Sequence, residues 1–251
     1  MNLVVRSARS LLSPGLRRAA RRGADALLGR RLGSISSARA GGSYAITFDD
    51  GPDAEVTPRL LVLLGRLRVR STFFLLVNQC YAHPELARAI ADHGHEIALH
   101  GRDHQRITRF SSLSDASDHL KAARDDLAEV TGQPVRFYRP PYGAQSIRSY
   151  RAARAAGLDV AVWNADVHDW VDRPAADVAA LARDRVRPGG VLLFHERLEP
   201  DLPRAAPATT FDRCAVVEQM VADCRSRGLE PATLGEMVQG GRAVRTAWFR
   251  S

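Results

Sequence analysis

The chain has 251 residues, of which 45% are hydrophobic and 25% are charged, and its formal net charge is +8. This length and composition suit one large globular domain with an ample core. No apolar run is long enough to cross a bilayer, which excludes a protein built of transmembrane helices. The charge excess lies in residues 1–42, which hold nine arginines and one acid, Asp25. The remaining basic and acidic residues cancel.

Residues 1–42 form a basic segment that we place outside the catalytic domain. It has a positive start but no continuous apolar core and no small-residue cleavage site, so it does not fit a cleavable signal peptide. One interpretation is a solvated basic tail, and the other is an amphipathic helix that lies on anionic lipid through residues 1–40. The segment has no aromatic residue to stack on bases, so we expect no nucleic-acid partner. We expect a location in the cytoplasm or at the inner membrane surface, with export left open.

Strands and helices alternate from residue 44 to residue 238. The pattern predicts strands at 44–48, 72–77, 96–99, 135–138, 160–163 and 191–194, with a last short strand from Leu229. It predicts helices at 56–67, 84–93, 114–130, 146–156, 175–186, 212–227 and 234–238. Such alternation indicates an α/β fold with a parallel sheet, and seven consecutive units favour closure into a barrel. We assign residues 43–240 to this domain and residues 241–251 to a C-terminal tail.

Polar residues follow the predicted strands at the same end each time. They are Asp49 and Asp50 after the first strand, His100 after the third, Arg139 after the fourth, Asp166 and Asp169 after the fifth, and His195 after the sixth. Active sites of parallel barrels lie at the C-terminal ends of the strands. Scattered structural histidines and surface acids would have no reason to share one end, so the pattern predicts a single catalytic site there.

Asp50, His100 and His104 have the composition of a metal site. One carboxylate and two neutral imidazoles bind a divalent ion such as Zn²⁺, Co²⁺ or Ni²⁺ and leave positions open for water. Asp49, next to the carboxylate ligand, is placed to take a proton from that water. Each part has a simpler interpretation: the aspartates suit a turn with a helix cap, and histidines four apart occur on helix faces by chance.

Two further segments carry candidate catalytic groups. In residues 139–143, two prolines stiffen a loop in which Arg139 can orient a carboxylate and the Tyr142 N–H can face an oxyanion. In the second segment, Trp170 is either a substrate wall or simply a buried loop residue, and the role of His168 stays open. His195 is either a structural strand-end histidine or a general acid whose pKa is raised by a carboxylate such as Asp169.

Taken in order, these motifs resemble those of the polysaccharide deacetylase family, carbohydrate esterase family 4, which contains the NodB homology domain. The matching segments are Thr47-Phe48-Asp49-Asp50-Gly51, His100 with His104, Arg139-Pro140-Pro141-Tyr142, Asp169-Trp170 and Leu193-Phe194-His195. The resemblance covers roughly residues 43–238. It implies a distorted (β/α)7-type barrel and a metal-dependent hydrolase that removes N-acetyl groups from sugars, with Zn²⁺ as the expected ion.

The resemblance also implies a role for each matching residue. Asp50, His100 and His104 would bind the metal, Asp49 would be the base held by Arg139, and His195 would be the acid tuned by Asp169; Pro140, Tyr142, Trp170 and Leu193 would contact the substrate. Gly101 departs from the serine or threonine that is more frequent after the first histidine. Three alternatives remain: a deformylase or amidase on the same barrel, an enzyme acting on a lipid-linked sugar, and a carbohydrate-binding protein with an idle site.

Overall fold

A computed structural model describes residues 32–198 and 209–249. Its strands are β1 (Ser34–Arg39), β2 (Ser43–Asp49), β3 (Thr72–Leu76), β4 (Glu96–Gly101), β5 (Phe137–Tyr138), β6 (Asp159–Val160), β7 (Ala165–Asp166), β8 (Val191–His195), β9 (Glu230–Ala232) and β10 (Arg242–Thr246). The main sheet has the order β6-β5-β4-β3-β2-β8-β7, and β9 adds to β2. Every pairing in this sheet is parallel. The polar residues that follow the strands therefore lie at one edge.

Helices pack on both faces of the sheet. They are α1 (Val56–Leu67), α2 (Val77–Ala82), α3 (Pro84–Asp92), α4 (Leu113–Thr131), α5 (Ile147–Ala155), α6 (Ala175–Arg185), α7 (Arg213–Ser226) and α8 (Leu234–Gln239). The first seven contribute to the main core, and the last, α8, packs in the smaller core on the other face. Serine caps begin two of them: the Ser112 hydroxyl accepts from Asp115 N at 2.9 Å, and Ser146 forms a capping box with Ser149. These caps satisfy backbone N–H groups that a helix start leaves unpaired.

The main core lies between the sheet and helices α1 to α7. Phe48 of β2 contacts Phe73 of β3 and Phe194 of β8, with ring centroids 5.0 Å and 6.1 Å apart. All three rings are at most 1% exposed. Such aromatic pairs add to the free energy of burial, which is about 25 cal/mol per Å² of apolar surface. The core thus fixes the strands that carry Asp49 and His195 side by side.

The predicted α/β fold is confirmed: a curled parallel sheet, with seven strands in one path and β9 added to β2, has the character of a distorted (β/α)7 barrel. Most helix bounds differ from the prediction by a residue or less at each end. The segment 160–163 is not one strand, because β6 ends at Val160 and β7 begins at Ala165. Helix α2 was not predicted from the sequence; it begins directly after β3, and its first residue, Val77, had been assigned to that strand.

Two segments that the sequence analysis assigned to tails are strands of the domain. Residues 34–39 and 242–246 pair as the antiparallel strands β1 and β10. Ile35 is fully buried and bridges to Ala161, just after β6. The tail boundaries at 42 and 241 are therefore wrong for these residues. The sequence did not reveal the pairing because its partners are about 200 residues apart.

The rest of the predicted N-terminal tail, residues 1–31, lies outside the described residues, as do residues 250–251 and 199–208. Contact of residues 1–40 with anionic lipid and the cellular location stay predictions. Within the described ranges, no helix has both the length and the hydropathy required to cross a membrane.

Candidate active site

A pocket of about 460 Å³ opens at the C-terminal ends of the strands. Its lining contains nine of the eleven predicted site residues: Asp49, Asp50, His100, His104, Pro140, Tyr142, Trp170, Leu193 and His195. The other two, Arg139 and Asp169, are fully buried behind it. All eleven therefore converge on one place. Their positions follow from the parallel sheet, since loops after neighbouring strands meet at the same edge.

Asp50, His100 and His104 come together as three buried potential ligands. Asp50 Oδ1 lies 3.2 Å from His100 Nε2 and 3.3 Å from His104 Nε2. A tetrahedral ion with bonds of about 2.0–2.1 Å holds its ligand atoms roughly 3.3 Å apart. Asp50 Oδ1 and His104 Nδ1 have no hydrogen-bond partner within the described parts of the chain, although both are buried. The donor set and its spacing fit a divalent metal.

The protonation of these groups also suits a cation. Burial alone would raise the pKa of Asp50, but its interactions with His100, His195 and His104 lower that pKa to about 2. Burial and the neighbouring His100 lower the pKa of His104 to about 4. At neutral pH the carboxylate is therefore ionised and the His104 imidazole neutral, as metal ligands must be.

His100 is oriented by a backbone acceptor. Its Nδ1 lies 2.9 Å from the carbonyl oxygen of Arg139, which requires a proton on Nδ1. The Nε2 lone pair then points toward Asp50. A ligating histidine commonly donates its second N–H in this way, and the bond fixes the tautomer. Gly101, which follows His100, has a φ of 127°, a conformation that strongly favours glycine.

Asp49 is held by Arg139 in the interior. Arg139 Nη1 donates to Asp49 Oδ1 at 2.6 Å and to the Thr47 hydroxyl at 2.8 Å. Arg139 is fully buried, and burial lowers its pKa while the Asp49 carboxylate opposes that shift. Asp49 Oδ2 is 3.8 Å from His100 Nε2 and thus faces the ligand cluster. The guanidinium engages one carboxylate oxygen and leaves the other toward the pocket.

His195 lines the pocket beside Asp169. Its Nδ1 is 2.8 Å from Asp169 Oδ1, and its backbone N–H donates to Asp169 Oδ2 at 2.7 Å. Burial alone would lower the pKa of His195, but the Asp169 carboxylate, with smaller contributions from Asp50 and Asp49, raises that pKa to about 9. The imidazole is therefore protonated at neutral pH, and Nε2–H is the group left to act in the pocket.

The loop of residues 139–143 forms a third wall. Tyr142 has φ 59° and ψ 9°, a left-handed conformation inside a short 3-10 turn (Pro141–Gly143). Its ring packs against His104 with centroids 4.5 Å apart. Trp248 Nε1 donates to Gly143 O at 3.0 Å, and Gln145 Nε2 donates to Trp248 O. The C-terminal segment thus supports the loop from behind.

Left-handed backbone is concentrated at this site. Of five non-glycine residues with positive φ in the described ranges, four line the pocket: Asp50, His104, Tyr142 and His168. The fifth, Arg68, ends helix α1. Such conformations cost of order 1–3 kcal/mol each and persist where the surrounding structure enforces them. Their clustering indicates that the pocket tolerates unfavourable backbone conformations in order to orient its side chains.

Three residues of the site were missed in the sequence analysis. Trp163 lines the pocket, Trp248 supports the Tyr142 loop, and Glu196 is fully buried below the Asp50 loop. The Thr57 hydroxyl donates a hydrogen bond to the Glu196 carboxyl group. Burial raises the pKa of Glu196 to about 8. A side chain at Gly51 would collide with Glu196, which explains the glycine after the paired aspartates. The position of Glu196 directly after His195 was the available signal.

Comparison with known families agrees with this geometry. The polysaccharide deacetylase family profile matches residues 37–161. A chitooligosaccharide deacetylase of Bradyrhizobium sp. (strain ANU 289) is 30% identical over 204 residues, which are 80% of this chain and 91% of that protein. The peptidoglycan-N-acetylglucosamine deacetylase PgdA of Listeria monocytogenes is 28% identical over 207 residues, which are 82% of this chain but only 41% of PgdA.

A solved structure extends the similarity to the fold. The Bc1960 peptidoglycan N-acetylglucosamine deacetylase, crystallised with a hydroxamate-type benzamide, superposes with a TM-score of 0.73 at 25% identity. The match covers 89% of this chain and 98% of that one. Nearly the whole Bc1960 chain thus has a counterpart here.

Proposed function

This chain belongs to the polysaccharide deacetylase family, and we propose on that basis that it removes N-acetyl groups from an N-acetylated sugar by metal-dependent hydrolysis. The observation that carries the proposal is the convergence, in one pocket, of three metal-type ligands with a paired carboxylate on one side and a protonated histidine on the other. The carbonyl carbon of an amide is a poor electrophile, and its nitrogen is a poor leaving group. The proposed metal would activate the carbonyl, and the protonated histidine would assist departure of the nitrogen.

Asp50, His100 and His104 would hold the ion, with Zn²⁺ as the proposed species and Co²⁺ or Ni²⁺ as substitutes. A bound divalent metal would lower the pKa of a water molecule and polarise the acetyl carbonyl. The ionised Asp50 and the neutral His104 are already in the protonation states that binding requires. Little rearrangement is needed to accept the cation, because the ligand atoms already have the spacing of a coordination shell.

Asp49 would act as the general base. Arg139 donates to its Oδ1, so Oδ2 is the oxygen available to accept the proton of the attacking water. The same guanidinium prevents the side chain from turning to ligate the metal in place of Asp50. Thr47 contributes to this restraint, because its hydroxyl accepts from Arg139 and donates to Leu192 O at 2.6 Å.

His195 would act as the general acid. Because its Nδ1–H is engaged by Asp169, its Nε2–H is the proton delivered to the departing nitrogen. A pKa of about 9 keeps the imidazole charged at neutral pH. The amine then leaves as a neutral group, and the products are acetate and a free amino sugar. Proton transfer of this kind contributes typically about 10²–10⁴-fold to the rate.

The remaining lining would position the acetyl group. The backbone N–H of Tyr142 would donate to the carbonyl oxygen as negative charge develops there. Leu193, Trp170 and Pro140 provide apolar surface against which the methyl group packs. We propose a glycan containing N-acetylglucosamine as the substrate, because the matched relatives are named for chitooligosaccharide and peptidoglycan.

The test is acetate release from N-acetylglucosamine oligomers by the full chain. We expect activity that is lost with a chelator, is restored by Zn²⁺ or Co²⁺, and is missing in Asp50→Ala at every metal concentration. Parallel assays for formate and ammonia distinguish deacetylation from deformylation and from hydrolysis of other amides. Turnover that survives chelation, or formate in place of acetate from a matched N-formyl sugar, would overturn the proposal.

A further inference from the structure

Three arginines lie on two segments that contact each other, the loop after β4 and the start of α5. Arg106 and Arg109 belong to the loop after β4, and Arg148 is in the first turn of α5. All three are exposed. Arg148 Nη1 donates to Phe110 O at 3.2 Å and also to Ser111 O, so it is fixed against the loop that carries the other two.

Arg106 contacts Tyr142, a residue of the pocket lining. Its guanidinium carbon lies 4.8 Å from the centroid of the Tyr142 ring. The Tyr142 ring in turn contacts the His104 ring, with centroids 4.5 Å apart. One aromatic ring therefore separates the guanidinium from a proposed metal ligand. The cation–π contact restrains a side chain that is otherwise flexible.

These cations lack acidic partners. Among residues 32–198 and 209–249, no ion pair involves Arg106, Arg109 or Arg148, whereas Arg102 in the same loop is paired with Asp126. Asp166 is the acid of the pocket lining outside Asp49 and the ligand cluster. Three arginines without acidic partners thus favour an anion beside Tyr142.

We propose that Arg106, with Arg109 and Arg148, forms an anion-binding subsite for a phosphate or carboxylate on the sugar unit next to the one being deacetylated. This rests on the proposed function, which it deepens by assigning an acidic N-acetylated glycan as the preferred substrate class. A planar guanidinium binds either anion through two parallel hydrogen bonds. A neutral oligosaccharide fills the catalytic pocket but leaves the subsite without a partner.

The experiment compares three tetrasaccharides of N-acetylglucosamine: the neutral compound, one carrying a phosphate on a terminal primary alcohol, and one with that alcohol oxidised to a carboxylate. We expect the wild-type protein to have a higher kcat/KM for an acidic compound, and the larger preference identifies the anion. Arg106→Gln should lose about tenfold on that compound, mainly through KM, because a charge-assisted hydrogen bond is removed. Its kcat/KM on the neutral compound should stay within twofold.

Two variants serve as controls. Arg106→Lys keeps the charge without the planar fork and should restore part of the preference. Arg151→Gln removes the same charge from an exposed position one turn further along α5 and should behave as wild type. Added salt should weaken the wild-type preference, since exposed charges are screened. An equal loss on neutral and acidic compounds in Arg106→Gln would show that the residue only supports Tyr142, and would overturn the subsite.

Equilibrium binding separates this proposal from the proposed function. The affinity of each tetrasaccharide for the wild-type protein and for Arg106→Gln is measured by calorimetry, which does not depend on turnover. If no acetate is released but the acidic compound still binds more tightly and depends on Arg106, the subsite stands and the deacetylase assignment fails. If acetate is released and the three compounds bind alike, the subsite fails and the deacetylase assignment stands.

Discussion

His104 and His195 line the same pocket, yet their surroundings move their pKa values in opposite directions. The pKa of His104 falls to about 4 because the ring is buried beside His100. His195 is also largely buried, but Asp169 accepts its Nδ1–H and raises its pKa to about 9. Near neutral pH, one imidazole thus offers a lone pair while the other offers a proton.

The difference between these two sides of the pocket shows that burial alone does not decide the charge of a histidine. Burial disfavours the imidazolium in both cases, and the outcome depends on whether a dedicated carboxylate is hydrogen-bonded to the ring. Asp50 is near His104 but is shared with His100, whereas Asp169 serves His195 through two hydrogen bonds. The two sides are therefore suited to ligand and acid roles, respectively.

The largest expected effect comes from removing one of the histidines proposed to bind the metal. His100→Ala or His104→Ala should abolish stoichiometric metal binding and reduce acetate release to background, because two remaining ligands hold a divalent ion weakly. Metal content after dialysis, measured by elemental analysis, checks this outcome. The exposed His93→Ala is the control and should keep both metal and activity. Full metal occupancy in His104→Ala would contradict its assignment as a ligand.

Changes to the proton-transfer groups should affect turnover without releasing the metal. We expect His195→Ala and Asp49→Asn each to lower kcat by about 10²–10⁴-fold, the usual contribution of a positioned acid or base. Metal content should remain at the wild-type level in both, since neither residue belongs to the ligand cluster. Intact kcat in either variant, with metal bound and the fold verified by circular dichroism, would refute the assigned role.

The pairing of Asp169 with His195 predicts a shift in pH dependence. Activity that needs protonated His195 should fall as pH rises through about 9. In Asp169→Asn the pKa of His195 should drop toward its ordinary value of about 6.5, so the decline moves to lower pH. At pH 7.5 this leaves roughly a tenth of the imidazole protonated and reduces kcat about tenfold. A pH profile of kcat checks this, and an unshifted alkaline limb would argue against Asp169 as the tuning group.

The smallest effect is expected from a change behind the loop of residues 139–143. Trp248→Phe keeps an aromatic ring but removes the N–H that donates to Gly143 O. The loss of one buried hydrogen bond should lower the free energy of unfolding by about 1 kcal/mol. We expect kcat to fall a few-fold with metal affinity unchanged, because the loop carries Tyr142 and no ligand. Denaturant titration and kinetics measure the two effects, and a metal-affinity loss would show a wider role for Trp248.

The site could be predicted from the sequence where chemistry and strand order coincide. The sequence identified the ligand cluster because Asp50 and His100 each follow a predicted strand of a parallel sheet. His104 lies four residues after His100. Trp248 was assigned to a tail, because its contact with Gly143 spans 105 residues and leaves no local pattern. Glu196 was not predicted as a site residue, because its position next to His195 indicates closeness to the pocket but not that the side chain is buried. Strands β1 and β10 were missed for the same reason as Trp248.

The sequence by itself determined the fold class, the end of the sheet at which the polar residues meet, and which side-chain types are available there. Those features depend on periodicity and strand order, which local residues encode. Only the tertiary structure decided the charge that each group carries, because a pKa depends on burial and on partners distant along the chain. Arg139 reaches Asp49 across 90 residues, and Asp169 reaches His195 across 26. Those contacts distinguish the proposed base from a ligand and the proposed acid from a structural histidine.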